Sequence, residues 1–169
     1  MGMTNISASQ VKELREKTGL GLMDCKKALE EANGDLELAI EELRKTSGVK
    51  ASKKSGRSAA DGLIGILSKN SNIFMIEVNC ETDFVARDQS FIEFTSNTLN
   101  DYSERPDSSL EELLQNGVEE NREKLVQKLG ENIVVRRIDK TSGSSVAGSY
   151  LHSNKKIGCL VSLEGGDMS

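Results

Sequence analysis

Few residues in this 169-residue chain are arranged to do covalent chemistry. His152 is the only histidine, and it stands before a polar stretch at 153–156 with no carboxylate beside it. A lone histidine so placed reads as a surface or hydrogen-bonding residue rather than a proton-transfer group. The glycines of Thr18-Gly19-Leu20-Gly21 precede a helical pattern and invite a phosphate-loop reading. No strand precedes them and no Gly-Lys-Ser/Thr follows, so the mechanism of a phosphate loop is missing. Cys25, Cys80 and Cys159 are too scattered for a zinc site or a disulfide framework, and a reducing cytoplasm is the expectation. Acidic residues abound, but no spacing singles out an acid/base pair. No enzyme activity, cofactor or metal is expected.

Two other constellations read as binding features. The first is Met23. At about 100° per residue it lies far from the apolar stripe Leu22, Cys25, Ala28, Leu29 and Ala32, and its i+3 and i+4 neighbours are Lys26 and Lys27. It is either a stray surface residue or a docking residue. The second is Asn79-Cys80-Glu81-Thr82-Asp83-Phe84-Val85-Ala86-Arg87-Asp88, which joins a strand pattern to a helix pattern. Thr82 and Asp83 are natural N-cap residues. Phe84 has charged Arg87 and Asp88 at i+3 and i+4, so no apolar partner shares its helix face. Its ring is either packed by the sheet or exposed as an anchor of the kind that dominates interfaces.

The elements that must position these residues follow from period and punctuation. Ser7 and Gln10 form a capping box for a first helix with Val11 and Leu14 inward, stopping near Thr18-Gly19. A second helix runs from about Leu22 to Asn33-Gly34, and a third places Leu36, Ala39, Ile40 and Leu43 on one face. From Asp61 the period becomes two. Segments 63–67 and 73–79 read as a hairpin turning at Lys69-Asn70-Ser71-Asn72, with Phe74, Ile76 and Val78 on one face. A single helix is expected from Asp83 to Tyr102, lined by Phe91, Phe94, Thr98 and Tyr102 and closed by Pro106. Helical periods return at 109–115 and 118–129, with Gly130 as C-cap. A strand follows at 132–138, then a second hairpin at 146–152 and 157–163. The two hairpins resemble each other in sequence, as an internal repeat would.

Charge is uneven. Residues 1–60 carry 11 basic and 9 acidic side chains, whereas 61–169 carry 11 and 18. Between Arg44 and Arg57 six basic residues occur with no acidic one, among Ser and Gly. That run reads as a solvated basic linker, or as the seat of a nucleic-acid-binding function, the rival reading for the chain. A second rival is a peptide-binding module made by the three helices alone. No apolar run approaches the roughly 20 residues of a membrane helix, and residues 1–4 carry no signal-peptide pattern.

Four segments, in order, resemble the bacterial elongation factor Ts family. They are Thr18-Gly19-Leu20-Gly21-Leu22-Met23-Asp24-Cys25-Lys26-Lys27-Ala28-Leu29, then Glu77-Val78-Asn79-Cys80-Glu81-Thr82-Asp83-Phe84-Val85-Ala86. Gly130-Glu131-Asn132-Ile133 with Arg136-Arg137 is the third, and Gly148-Ser149-Tyr150-Leu151-His152 with Ile157-Gly158 the fourth. The resemblance implies an α+β fold: an N-terminal three-helix bundle like a ubiquitin-associated domain, then an antiparallel sheet with helices on one face. It implies a guanine-nucleotide exchange factor for elongation factor Tu in translation elongation. Leu22, Met23 and Lys26 would dock on the GTPase domain of Tu. Phe84 would insert beside the Mg²⁺ and phosphate end of the nucleotide site, with Asp83 holding the neighbouring surface and Thr82 capping. Leu129, Gly130 and His152 match further Tu-facing positions.

The expected organisation is a helical module at 4–46, a basic linker at 47–60, a first half-core at 61–143, and the hairpin of an incomplete second half-core at 144–169. Longer family members carry more beyond this point, so a shortened form or a homodimer is expected, because two strands without covering helices are marginal.

Overall fold

The computed structural model describes residues 6–141 and 146–163. The expectations about residues 1–4 and 164–169, and the division near residue 143, lie outside the described residues.

Three helices open the chain: α1 (Ala8–Thr18), α2 (Leu22–Glu31) and α3 (Leu36–Lys54). Ser7 and Gln10 form the expected capping box, and Gly19 ends α1 in the left-handed conformation with its N–H bonded to the Arg15 carbonyl. Asp35 caps α3 by accepting from the Glu37 and Leu38 amides. Val11, Leu14, Leu20, Cys25, Ala28, Leu29, Ala32, Ala39 and Leu43 form the core of this module. Leu22, read from the sequence as part of the α2 stripe, instead lies outside it and is 54% exposed, because it starts the helix one turn before the seam closes.

The linker expected at 47–60 is mostly helix. α3 continues to Lys54, about 28 Å in all at 1.5 Å per residue, so only 55–60 connects it to the sheet. Small buried Ser47 and Ala51 continue the i+4 row begun by Ala39 and Leu43, and Ala51 belongs to a second core. This small-residue half of α3 packs on α7 (Glu119–Leu129), with Glu123 against Gly48. That packing offsets the roughly 1 kcal/mol that a glycine costs mid-helix. Lys53 and Lys54 fall in the last turn, where positive charge suits the helix dipole.

β1 (Asp61–Lys69), β2 (Asn72–Cys80) and β3 (Val134–Lys140) form an antiparallel sheet with β2 central. Asn70 and Ser71, both at positive φ, make a two-residue turn whose twist matches the strands. Phe74, Ile76 and Val78 are buried on one face, as the alternation predicts. Against the sheet lies α5 (Gln89–Glu104), with Phe91, Phe94, Thr98 and Tyr102 all buried. Phe74 and Tyr102 meet edge to face, ring centroids 5.4 Å apart. α6 (Leu110–Leu113) leads through a kink at Asn116-Gly117 into α7, which Gly130 terminates at φ 80°. β3 begins at Val134 rather than Asn132, because Asn132 and Ile133 point into the protein before the ladder starts. A bulge opposite Glu77 and Val78 places Arg136 and Arg137 both against the Glu77 carboxylate.

The single helix expected from Asp83 to Tyr102 is two. α4 (Asp83–Ala86) ends at Arg87, and Asp88 caps α5 by accepting the Ser90 amide at 2.8 Å. Asp88 prefers the capping role to a place in a helix interior.

β4 (Val146–Leu151) and β5 (Gly158–Leu163) form the second hairpin, a separate two-stranded sheet. One side rests on the first sheet, where Gly158 lies so near Ile64 that a Cβ would come within 2.9 Å of its side chain. The other side pairs Val146 with Leu163, Gly148 with Val161 and Tyr150 with Cys159, and these apolar side chains are exposed.

Candidate functional site

The segment joining β2 to α5 carries the site. Thr82 is in extended conformation and its hydroxyl accepts the Val85 amide, starting the four-residue α4. Val85 and Ala86 turn inward and are buried, which drives Phe84 outward. Phe84 is 82% exposed. The other three phenylalanines, Phe74, Phe91 and Phe94, are buried. The helix break at Asp88 accounts for the missing apolar partners at i+3 and i+4: Phe84 does not lie on a face of α5 at all. Asp83 is half-buried and ion-pairs with Arg87 at 2.8 Å.

Leu129 and Gly130 are brought to the same place. Leu129 is half-buried against the core, and the Gly130 carbonyl accepts from Lys54 Nζ. The next residue makes the junction. Glu131 Oε2 accepts the Glu81 and Thr82 amides, each at 3.0 Å, and Oε1 accepts the Thr82 hydroxyl at 2.6 Å. Glu81 answers by accepting the Asn132 amide at 2.7 Å, and Arg57 lies 3.5 Å from the same oxygen. Asn132 is buried and donates its side-chain N–H to the Arg57 carbonyl at 2.8 Å. Sequence reasoning places Glu81, Glu131 and Asn132 only within segments that resemble the family and Arg57 only in the basic run, and it gives none of them a role in holding this turn. The one signal was a polar Asn between a helix-ending glycine and an apolar strand.

Leu22, Met23 and Lys26 sit on the exposed start of α2, in the helical module. Met23 is 72% exposed, and Lys26 is exposed with Glu30 at 3.7 Å. Thr18, at the end of α1 just before this surface, lines a groove of about 290 Å³ with Ser90 and Lys128, which bond each other at 2.6 Å. His152 is exposed at the end of β4, its Nδ1 2.7 Å from the Tyr150 hydroxyl. Its hairpin is tied to the first sheet where Lys156 meets Asp61 at 2.9 Å. The Lys156 hydrogen bond, then the Gly62 amide, hold the Asp61 carboxyl below its ordinary range, and the Arg87 charge adds to this.

Reactive groups do not converge here. Burial pushes the Cys80 thiol up to about 12, and the Glu131 and Asp61 charges add to the shift, so it is held protonated. Among the described residues, no three His, Cys, Asp or Glu side chains are grouped to hold a metal ion, and no helix is long and apolar enough to cross a membrane. Of the six basic residues between Arg44 and Arg57, five are engaged. Arg44 pairs with Glu120, Lys45 with Glu41 and Glu42, Lys50 with Asp24 and Arg57 with Glu81, while Lys54 bonds a carbonyl.

Fold and site together define an α+β protein that displays a fixed, solvent-facing aromatic side chain and an exposed helix start, rather than a cleft around reactive groups. Residues 81–169 match the family model described as elongation factor TS. The chain is 53% identical over 167 residues to elongation factor Ts of Marinobacter nauticus and 52% over 167 residues to that of Hahella chejuensis. It is 50% identical over 165 residues to that of Salmonella agona. Each alignment covers 98% of this chain, but only 57%, 58% and 57% of the respective relative, so the chain spans a little over half of their length. The chain belongs to the elongation factor Ts family.

Proposed function

We propose that this chain promotes GDP release from elongation factor Tu. The observation that carries the reading is Phe84, an exposed phenylalanine mounted on a clamped turn. Phe84 inserts near the Mg²⁺ and phosphate end of the nucleotide site, and Asp83 holds the adjoining surface. Leu22, Met23 and Lys26 dock the helical module on the GTPase domain, and Leu129, Gly130 and His152 make further contacts. The part-buried Leu129 contributes only the portion of its side chain that the core leaves uncovered.

The physical basis is linkage. A chain that prefers the nucleotide-free shape of Tu weakens GDP by the same free energy with which GDP weakens the chain. Mg²⁺ is among the largest local charges holding the phosphates, so a side chain that displaces its ligands loosens GDP. An aromatic pocket present only in the shifted state supplies the preference. The test measures both sides of the cycle. The chain's affinity for nucleotide-free Tu is expected to exceed its affinity for GDP-bound Tu by the factor by which it weakens GDP. Equal affinities for the two forms, with no faster GDP release, would refute exchange. The basic segment favours no nucleic-acid reading, since five of its six basic side chains are engaged within the protein.

The exposed apolar side of the second hairpin supports a second element of the proposal. A second copy of the chain covers Val146, Tyr150, Val161 and Leu163. Sedimentation of a well-folded chain as a monomer at micromolar concentration would refute the dimer.

A further inference from the structure

We infer that Glu131 is the positioning residue for Phe84, a role that rests on the exchange reading above. Four residues are too few for α4 to hold itself, because helix nucleation is unfavourable and the first amides of any helix have no partner within it. Phe84 cannot help, since its ring is almost wholly in solvent. The direction of the ring is therefore set by the backbone at 81–85, and that backbone is gripped from outside the segment. Glu131 takes two consecutive amides with one carboxylate oxygen and the Thr82 hydroxyl with the other. Because Thr82 donates its proton to Glu131, the hydroxyl oxygen is free to accept the Val85 amide, and donation to a carboxylate makes it a better acceptor. One side chain thus fixes three of the groups that start α4.

Glu131 is itself fixed. It follows Gly130, whose carbonyl is held by Lys54, and precedes Asn132, whose amide is held by Glu81 and whose side chain holds the Arg57 carbonyl. The 130–132 loop is therefore fastened both to the end of α3 and to the Phe84 turn. The helical module and the aromatic are held in one frame, which would let both engage a partner without a further ordering cost.

The experiment uses the full chain carrying Glu131→Ala, with Glu131→Gln as the milder second variant, which keeps one acceptor oxygen. Amide hydrogen exchange at Glu81, Thr82 and Val85 is expected to quicken about tenfold in Glu131→Ala, while Ile76 and Val78 in the central strand keep their protection. The saturating rate of fluorescent GDP release from elongation factor Tu is expected to fall about tenfold, with Glu131→Gln between the two. The half-saturating chain concentration stays within about twofold, because the docking face on α2 is untouched. Unchanged protection at Glu81 and Thr82 in folded Glu131→Ala overturns the clamp. A rise in half-saturating concentration with an unchanged saturating rate overturns the positioning role. If Phe84→Ala alone leaves release unaffected, the exchange reading fails, and the amide-exchange arm still decides whether Glu131 holds the turn.

Discussion

Truncating Phe84 to alanine separates the demands of folding from those of function. Because Phe84 is 82% exposed, the substitution removes little buried surface. Alanine is also the better helix former by a few tenths of a kcal/mol, so stability should move by less than about 0.5 kcal/mol, and Tm by less than about 2 °C. Phe91→Ala is the control, because Phe91 is fully buried between α5 and the sheet. Its loss should cost about 3–5 kcal/mol and lower Tm by about 6–20 °C. On the partner's side, burying an exposed phenylalanine is worth about 2–3 kcal/mol, and each 1.4 kcal/mol is tenfold. If the pocket exists only in the shifted state of Tu, that free energy appears in the rate. Stopped-flow release of fluorescent GDP at saturating chain should then slow by about 30- to 150-fold in Phe84→Ala. Full activity in Phe84→Ala would refute the wedge. A drop in Tm of more than about 5 °C would show that the ring packs within the protein.

Other substitutions test the frame. Gln127 is 9% exposed and neither side-chain polar atom has a hydrogen-bond partner among the described residues. Gln127→Met keeps the shape and removes that desolvation cost, so it should raise stability by about 1 kcal/mol and Tm by about 2–4 °C by calorimetry. Gly62 has φ 146°, and a Cβ there would meet the Val78 carbonyl oxygen at 2.1 Å. Gly62→Ala should destabilise the sheet by about 3 kcal/mol, read as a lower urea midpoint. Asp61 is depressed in the folded state by Lys156, so its contribution is present above the ordinary carboxylate range and lost as pH falls through the depressed value. Acid titration should loosen the second hairpin, seen as a lower protection factor for the Ile64 amide, whose N–H bonds the Lys155 carbonyl; Asp61→Asn should remove that dependence.

What the sequence yields depends on how far apart the interacting residues lie. The capping box of Ser7 and Gln10, the left-handed stops at Gly19 and Gly130 and the alternation of Phe74, Ile76 and Val78 are local patterns, and the structure reproduces them. The second half of α3 was obscured because its i+4 row passes from Ala39 and Leu43 to Ser47 and Ala51. The row persists, but its hydrophobicity fades among lysines, so composition suggested a linker where packing between small residues holds a helix. Asp88 illustrates a choice that pattern alone leaves open, since an Asp is acceptable on an exposed helix face and better at an N-cap.

The clamp was illegible for a different reason. Glu131 and Thr82 are 49 residues apart, and Asn132 and Arg57 are 75 apart. No periodicity relates such pairs; only the tertiary fold does. Phe84 lies between these cases. Its exposure was readable as a want of apolar neighbours at i+3 and i+4, which left two outcomes open: packing by the sheet or presentation to solvent. The structure decides between them through Val85 and Ala86, which fill the inward positions of the turn. A ring that the protein itself does not use, on a turn that the protein takes trouble to hold, is the combination expected when rigidity serves a partner's pocket rather than the chain's own core. It also means that the loss from disturbing the clamp should appear in exchange before it appears in folding, because the groups it orders contribute almost nothing to the buried core.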